Sequence, residues 1–299
     1  MLTISTNHVI YDFSPHHRPV AETDSGEIVK FETMDCFSNQ VHSADQNWDA
    51  VDWDAINPAT GPLFVRGAEP GDTLKVEILS IELGPQAVIM EFPGSGVTGC
   101  MVDQIQARVL PILGDVAVFS DTLSLPLSPM IGSIGTAPAE ESISTEIPAA
   151  HGGNMDCTKI GVGTTLYLPV NVPGALLAMG DIHALMGDGE VCVSGAEICG
   201  AITVRVTVLK NTCLPLPFIV NENLCAAIGS ALTLQDAATA ATMAMREFLI
   251  STANLDPHSA ATLLSLTGDL RICQVVNPQK TCRMELPRRV VDQLLIQFP

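Results

Sequence analysis

The residues best suited to chemistry lie in one segment of the chain, residues 151–199. Within it, acids, amides, glycines and a histidine form three dense clusters, followed by Glu197: residues 152–156, 181–183 and 187–190. Acidic groups and a histidine crowd together in this way where a protein binds a metal ion or transfers protons. The sequence therefore predicts that the functional site is built mainly from this segment.

The spacing within the clusters indicates which side chains act together. Asp181 and His183 are two residues apart, so a β-strand would project both from one face of a sheet. A buried imidazole beside a carboxylate is either a metal ligand with its orienting partner or an ion pair that stiffens the core. Asn154 and Asp156 have the same spacing, and the neighbouring glycines allow close approach of the backbone to a ligand. We interpret the segment as a metal or catalytic site.

The residue types leave the metal open and disfavour other chemistries. One histidine with several carboxylates and an amide suits zinc with an open coordination position, and also manganese or calcium. The chain lacks the Gly-x-Ser-x-Gly motif that would indicate a serine nucleophile. Cys157 could pair with His151 or His183, but we expect the adjacent Asp156 to disfavour its thiolate. Residues 94–99 are glycine-rich but lack the Lys-Ser/Thr ending of a phosphate-binding loop.

Composition and charge exclude several classes of partner. The 299-residue chain has 33 acids against 14 bases, a formal net charge of −19 and no basic stripe. Such a surface repels nucleic acid and anionic membranes, whereas a small neutral or cationic substrate or a metal cation suits its sign. Only 16% of the residues are charged. Because this leaves few solvated side chains to cover the surface, we expect a homo-oligomer, a dimer or larger.

The sequence also predicts a cytoplasmic protein. Residues 1–11 lack the basic and apolar regions of a signal peptide, and no run approaches the ~20 apolar residues that span a bilayer. The nine cysteines are odd in number and lack C-x-x-C spacing, which argues against a disulfide framework or a zinc ribbon. We expect reduced, buried thiols, and the sequence does not indicate whether any of them is functional.

The order of elements predicts an α+β fold that is predominantly β. Apolar, β-branched runs separated by Gly, Pro and Asp turns predict strands at several places: residues 27–33, 73–83, 164–170 and 201–209. This punctuation is typical of antiparallel sheets in a sandwich or barrel-like arrangement. A C-terminal helical pair follows. Its first helix has Thr233 as the expected N-cap and ends near residue 252, and its second begins at Asp256-Pro257.

No low-complexity linker divides the chain, so we expect residues 1–299 to form one integrated unit. A possible subdivision places the site in a mainly β part, residues 1–215, and an α+β part in residues 216–299. Residues 36–56 predict a surface loop or short helix. Its two tryptophans, Trp48 and Trp53, either line a pocket or, as is commoner, anchor the loop on the core.

Five motifs, taken together and in order, resemble the acetamidase/formamidase family. They are FETMDCF around Asp35, NPATGPLFVRGAEPGD from residue 57, HGGNMD from residue 151, GALLAMGDIHALMGDGEV from residue 174 and RMELP from residue 283. The resemblance covers nearly the whole chain. It implies hydrolysis of short aliphatic amides such as formamide and acetamide to the acid and ammonia, a mainly β fold, oligomers, and dependence on a metal.

The resemblance also places acids and one histidine at motif positions of the family: Asp35, Asp156, His183, Asp188, Glu190 and Glu197. Their individual roles are our assignment. We expect Asp35, Asp156 and His183 to bind a divalent metal, zinc before calcium or manganese. The metal would lower the pKa of a bound water. From the local sequence alone, Asp35 is more simply a turn-forming residue.

The catalytic roles follow from the same assignment. We expect Glu190, or else Glu197, to move the proton from water to the departing ammonia, with Asp188 as a further catalytic candidate. The oxyanion of the tetrahedral intermediate would be stabilised by three neighbouring residues: Gly152, Gly153 and Asn154. Two alternatives stay open, namely a hydrolase of another linear amide or a lactam, and a non-catalytic metal- or ligand-binding protein of the same fold.

Overall fold

The computed structural model describes residues 1–299, most of which lie in strands or their connections. The first strands are β1 (Leu2–Ile4), β2 (Val9–Ile10), β3 (Asp12–Phe13), β4 (Ala21–Thr23), β5 (Ile28–Thr33), β6 (Ala59–Val65), β7 (Thr73–Leu83), β8 (Gln86–Glu91), β9 (Gln106–Leu113), β10 (Val116–Ser120) and β11 (Leu123–Pro126). The later strands are β12 (Met130–Gly135), β13 (Ile143–Ser144), β14 (Gly152–Asn154), β15 (Thr165–Pro169), β16 (Leu177–His183), β17 (Glu197–Ile198), β18 (Gly200–Leu209), β19 (Phe218–Val220), β20 (Leu224–Ala231), β21 (Asp269–Gln274) and β22 (Lys280–Pro287). The helices are α1 (Leu234–Ala253), α2 (Pro257–Thr267), α3 (Arg288–Gln293) and two short 3₁₀ turns, Trp48–Ala50 and Gly99–Met101.

Two large sheets dominate the fold. One has nine strands in the order β1-β5-β18-β7-β15-β19-β20-β22-β21. The other has eleven, with the path β11-β10-β9-β8-β17-β16-β12-β14, and β6 joins it at β16 together with β2 and β4. Only the β1–β5 and β4–β6 pairs are parallel. The predicted α+β fold with mainly antiparallel sheets is confirmed, and no sheet closes into a barrel.

A continuous hydrophobic core joins the two sheets. It contains 34 buried residues, among them Val76 and Ile202 from the nine-stranded sheet and Ile134 and Met179 from the eleven-stranded sheet. Alternation of apolar residues along these strands turns one face of each sheet inward, because successive side chains point to opposite faces. This packing holds the strands that carry the predicted site at the centre of the molecule.

The C-terminal helices form as the sequence predicts, because their signals are local. The Thr233 hydroxyl accepts the amide of Asp236 at 3.1 Å at the start of α1. Asp256 caps α2 in the same way, with Pro257 in its first turn. The helices cover a second core of 17 buried residues at the end of the nine-stranded sheet. None of the helices combines the length and the apolarity that a membrane-spanning helix needs.

The nine-stranded sheet crosses residue 215 without a break. β15, which precedes this point, pairs antiparallel with β19, which follows it. The subdivision into residues 1–215 and 216–299 stays a prediction, and the pairing shows that both parts contribute to one sheet.

Candidate active site

Neighbouring strands of the eleven-stranded sheet bring the predicted clusters together. His183 on β16 lies opposite Glu197 on β17. The opposite edge of β16 pairs with β12. Ile131 pairs there with Ile182 and Ser133 with Gly180, so Gly132 lies opposite Asp181. β14 in turn pairs with β12, and Asp156 follows shortly after the end of β14. Residues distant in sequence therefore meet because their strands pair.

The imidazole of His183 is the centre of a buried acidic cluster. Its Nε2 lies 3.2 Å from Glu197 Oε2, 3.4 Å from Asp181 Oδ1 and 4.0 Å from Asp156 Oδ1. Ligand atoms of Asp156, His183 and Glu190 also lie within 4.8 Å of one another, as do those of Cys36, Asp181 and Glu197. The structure thus gathers four carboxylates, one imidazole and one thiol at one point.

Three of these carboxylates sit on strained backbone. Asp156, Asp181 and Glu190 have φ angles of 44°, 59° and 49°. Non-glycine residues rarely adopt this left-handed region, and such strain concentrates at functional sites where the surrounding structure enforces it. All three carboxylates lie close to His183.

A glycine provides the space for this crowding. A Cβ atom added at Gly132 would overlap with side-chain oxygens of both Asp181 and Asp156. Gly195 has a similar relation to the His183 ring. A side chain at either position would displace the cluster.

The cluster is electrostatically unbalanced. Burial, reinforced by the mutual repulsion of the carboxylates, raises the pKa of Asp156 to about 7 and that of Asp181 to about 6. The same causes raise the pKa of Glu190 well above its usual range. Burial opposes protonation of His183, but Glu197 and Asp181 outweigh it and raise the His183 pKa well above its usual value. One imidazolium cannot neutralise four carboxylates, so the site favours protons or a cation.

Several polar atoms of the cluster are buried without a hydrogen-bond partner: Asn154 Oδ1, Asp156 Oδ1, His183 Nδ1 and Glu190 Oε2. Buried polar atoms are normally satisfied, and a concentration of exceptions needs an explanation. The other oxygens are fixed: Glu197 Oε1 accepts the Gly195 amide at 2.8 Å, and Asp156 Oδ2 accepts the Asn277 side-chain amide at 2.6 Å. The free atoms are therefore held in place with unused capacity to bind.

The cluster opens into a cavity of about 320 Å³. Asp181, Glu190 and Glu197 line it, together with Asn154 and Asn277. A small molecule in the cavity can therefore reach Asp181, Glu190 and Glu197 although each is buried in the fold.

Asp35 lies close to this cluster but outside it. Its Oδ1 accepts the backbone amides of Phe37 at 3.0 Å and Asn39 at 2.7 Å. Burial raises its pKa to about 6 despite these hydrogen bonds. Its role in the turn explains Asp35 without a metal, and the neighbouring Cys36 is the residue that reaches Asp181 and Glu197.

Asp188 faces away from the cluster. Its carboxylate binds Arg283 through two hydrogen bonds, of 2.9 and 2.6 Å, and accepts the Thr158 hydroxyl at 2.7 Å. Burial opposes its ionisation, but these partners outweigh burial and lower its pKa. This position fits a structural ion pair better than the predicted catalytic role.

Of the three residues expected to stabilise an oxyanion, only Asn154 lines the cavity. Gly152 and Gly153 are needed for packing: their φ angles are 99° and 80°, and a Cβ on either would overlap with a backbone oxygen. The Gly152 amide already donates to Ala149 at 3.1 Å. These glycines therefore shape the approach to Asn154 and do not face the cavity themselves.

Three residues of the site have no specific role that the sequence predicts. The spacing of Asp181 to His183 marks it as a partner of that histidine, but not as a separate ligand. Cys36 has no feature in the sequence beyond its position next to Asp35. Asn277 has the side chain that fixes Asp156, and Asn277-Pro278 is indistinguishable in sequence from an ordinary turn.

All nine cysteines are unpaired. Burial, with Glu197 and Asp181 nearby, raises the pKa of the Cys36 thiol well above its usual value, which disfavours a nucleophilic thiolate. Cys157 is fully buried in the main core and does not line the cavity. A hydrogen bond with Cys273 lowers its pKa, so the expected effect of Asp156 on its thiolate does not prevail.

Similarity to known proteins agrees with this arrangement. The model of the acetamidase/formamidase family matches residues 5–146 and 121–293. The chain belongs to the acetamidase/formamidase family.

Solved structures and curated proteins of similar sequence extend the family match. The crystal structure of an acetamidase from Bacillus halodurans is 45% identical, with a TM-score of 0.96 over 98% of this chain and 99% of that one. The structure of a predicted acetamidase/formamidase from Thermoanaerobacter tengcongensis is 43% identical, with a TM-score of 0.97 over 99% of both chains. A formamidase from Methylophilus methylotrophus is 26% identical over 251 residues, which cover 64% of this chain. The chain spans 62% of the length of that curated relative.

Proposed function

We propose that this chain hydrolyses short aliphatic amides of the formamide and acetamide type to a carboxylate and ammonia. The observation that carries the proposal is the buried cluster of Asp156, Asp181, Glu190 and Glu197 around His183, open to one cavity. Family membership and the names of the similar proteins support the reaction class. The cluster supplies the acid–base groups that amide hydrolysis needs.

A divalent cation fits the donor atoms of the cluster. Ligand atoms at ~2.0–2.1 Å from a tetrahedral ion lie roughly 3.3 Å from one another. His183 Nε2 has neighbouring oxygens of Glu197, Asp181 and Asp156 at 3.2, 3.4 and 4.0 Å, and Asp156 Oδ1 has no hydrogen-bond partner. We assign the cation to Asp156, Asp181 and His183, with Asp181 in place of Asp35. The imidazole favours zinc or manganese over calcium, which prefers oxygen ligands. When bound, the cation would supply positive charge to the amide carbonyl and make water more acidic.

Glu190 is assigned the proton transfer. It faces the cavity, and its Oε2 has no hydrogen-bond partner. It accepts a proton from the water that attacks the carbonyl carbon, and it returns a proton to the nitrogen as the C–N bond breaks. Glu197, whose Oε1 accepts the Gly195 amide and whose Oε2 lies 3.2 Å from His183 Nε2, is the second candidate for this role.

Asn154 is assigned to the oxyanion. Its side chain lies in the cavity wall, and its backbone carbonyl is held by the Asn277 side chain at 3.1 Å. A side-chain amide N–H that donates to the carbonyl oxygen stabilises the negative charge that develops there.

Replacing Glu190 with Gln tests the assignment. We expect turnover of acetamide to fall by roughly 10²–10⁴, because the proton carrier is lost. Bound metal, measured by elemental analysis, should stay at the wild-type level. The matched control is Glu247→Gln, on the exposed surface of α1, which should keep both activity and metal.

Two results would contradict the proposal in different ways. Loss of metal from the Glu190→Gln protein would make Glu190 a ligand and leave the proton transfer to Glu197. Metal binding by the wild-type protein without ammonia release from formamide or acetamide would favour a non-catalytic binder.

A further inference from the structure

The cavity is lined by two chemically different groups of side chains. Asp181, Glu190 and Glu197 form an acidic floor. Four hydrophobic side chains from other parts of the chain also line the cavity, and we call them the apolar wall: Phe37, Trp53, Ile56 and Phe92. The reaction assigned to the floor does not require this apolar wall.

The wall is held rigidly by the fold. The rings of Trp53 and Phe92 meet edge to face, with centroids 5.5 Å apart and an interplanar angle of 83°. Both rings pack against a small buried core that includes Phe37 and Met90. Trp53 and Phe92 are only half-buried, so part of each ring faces the cavity. A surface fixed in this way binds an apolar group without ordering first.

The size of the cavity exceeds the need of the smallest amides. Its volume of about 320 Å³ lies within the range of about 300–1,000 Å³ that holds drug-sized ligands. Acetamide bound at the acidic floor would leave the aromatic rings in contact with water. Filling that space with hydrocarbon would remove apolar surface from water, which is favourable.

The charge of the floor indicates how an amide is oriented in the cavity. The NH₂ group donates hydrogen bonds and leaves as ammonia, so the carboxylates of the floor suit it. The acyl chain makes no hydrogen bonds, and the apolar wall is the part of the lining that suits it.

We propose that the wall of Phe37, Trp53, Ile56 and Phe92 binds the acyl group of the substrate, and that the preferred substrates are primary amides with a longer aliphatic or an arylalkyl acyl chain. This inference rests on the proposed amide hydrolysis. It predicts that amides such as hexanamide and phenylacetamide are better substrates of the same site than acetamide.

The test compares kcat/KM of the metal-loaded protein for acetamide, butyramide, hexanamide and phenylacetamide, measured by ammonia release. We expect a rise of roughly three- to four-fold for each added methylene that the wall covers. The ratio of kcat/KM for phenylacetamide to that for acetamide should be about tenfold or more. Trp53→Ala and Phe92→Ala should each lower this ratio by about tenfold, because the apolar contact is removed.

A control variant separates the wall from general damage to the fold. Trp48 packs on the same small core as Trp53 but does not line the cavity, so Trp48→Ala should leave the ratio unchanged. The ratio does not depend on the fraction of active protein, so partial unfolding cannot imitate the effect. A kcat/KM that falls from acetamide to hexanamide and phenylacetamide would overturn the inference and leave the hydrolase proposal intact. Absence of ammonia from every amide would overturn both.

Discussion

Individual residues at the site are forced into close contact by the backbone. Asp181 and Asp156 approach each other across Gly132, which has no side chain to keep them apart. Both have left-handed backbone conformations, which cost about 1–3 kcal/mol each and persist only where the fold imposes them. Gly132 therefore belongs to the site although it carries no reactive group.

Replacing Gly132 with Ala should disable the enzyme. The added Cβ overlaps with carboxylate oxygens of Asp181 and Asp156 and must push at least one of them away from His183. A displacement of this kind near reacting groups can lower the rate by roughly 10²-fold. We expect this loss in kcat for acetamide, together with weaker metal binding, measured by ammonia release and by metal titration.

Gly187→Ala is the matched control, because a Cβ at Gly187 meets no atom within 4 Å. It changes the same residue type in a loop that leads to Glu190. Activity of the control should stay within about twofold of wild type, as is usual for surface changes away from special features. Equal losses in the two variants would contradict the role given to Gly132.

At this scale, the sequence predicts contacts that depend on local spacing. Asp181 and His183 meet as the strand periodicity indicates, at 3.4 Å. Asp35 forms a turn, as its local sequence alone indicates, and the neighbouring Cys36 extends toward the cluster. Asn277 could not be predicted, because its partner Asp156 is 121 residues away and only the fold brings them together.

One loop connects the site to the C-terminal strands. Asp188 is bound by Arg283 on β22, and the backbone of Gly189 exchanges hydrogen bonds with Cys273 and Val275 at 2.9 and 3.1 Å. Arg283 is almost fully buried and is also bound to Glu285 at 2.6 Å. These contacts fix the segment that presents Glu190 to the cavity.

Replacing Asp188 with Asn should therefore reduce stability more than catalysis. The amide keeps a hydrogen bond to Arg283 but leaves the buried guanidinium with less opposing charge. We expect the free energy of unfolding to fall by roughly 1–3 kcal/mol. The kcat of the folded protein should stay within a few-fold of wild type. Chemical denaturation and ammonia release measure the two effects.

A large fall in kcat at unchanged stability would instead restore Asp188 as a catalytic residue. Asp292→Asn is a suitable control, because Asp292 pairs with Arg288 on the surface of α3, where an ion pair contributes little. Its free energy of unfolding should change by at most about 1 kcal/mol.

Elements differ in how well the sequence predicts them. α1 and α2 were predictable from Thr233, Asp256 and Pro257, since caps act within one helical turn. The strand β7 matches its predicted bounds because its apolar residues recur within the run itself. The pairing of β16 with β12 and β17 was not predictable, because register between distant strands depends on the whole sheet.

The whole molecule buries four carboxyl groups of one cluster in its interior. The chain has a formal net charge of −19, and four carboxylates of the cluster are buried between elements of both parts of the chain. Buried like charges oppose folding unless protons or a cation neutralise them. The buried carboxylates that suit the site to a cation should therefore also make the free energy of unfolding depend on a bound cation.

Removing divalent cations should lower the thermal midpoint of the whole protein. A cation that binds only the folded state stabilises it by about 2.7 kcal/mol when its free concentration is 100 times its Kd. For a chain of this length we expect roughly 5 °C between zinc-loaded protein and protein treated with a chelator. Calorimetry on wild type and on Asp181→Asn distinguishes binding at the cluster from binding elsewhere, since the variant lacks one proposed ligand and should show a smaller shift. Equal midpoints with and without zinc in the wild-type protein would show that protons, and not a cation, neutralise the cluster.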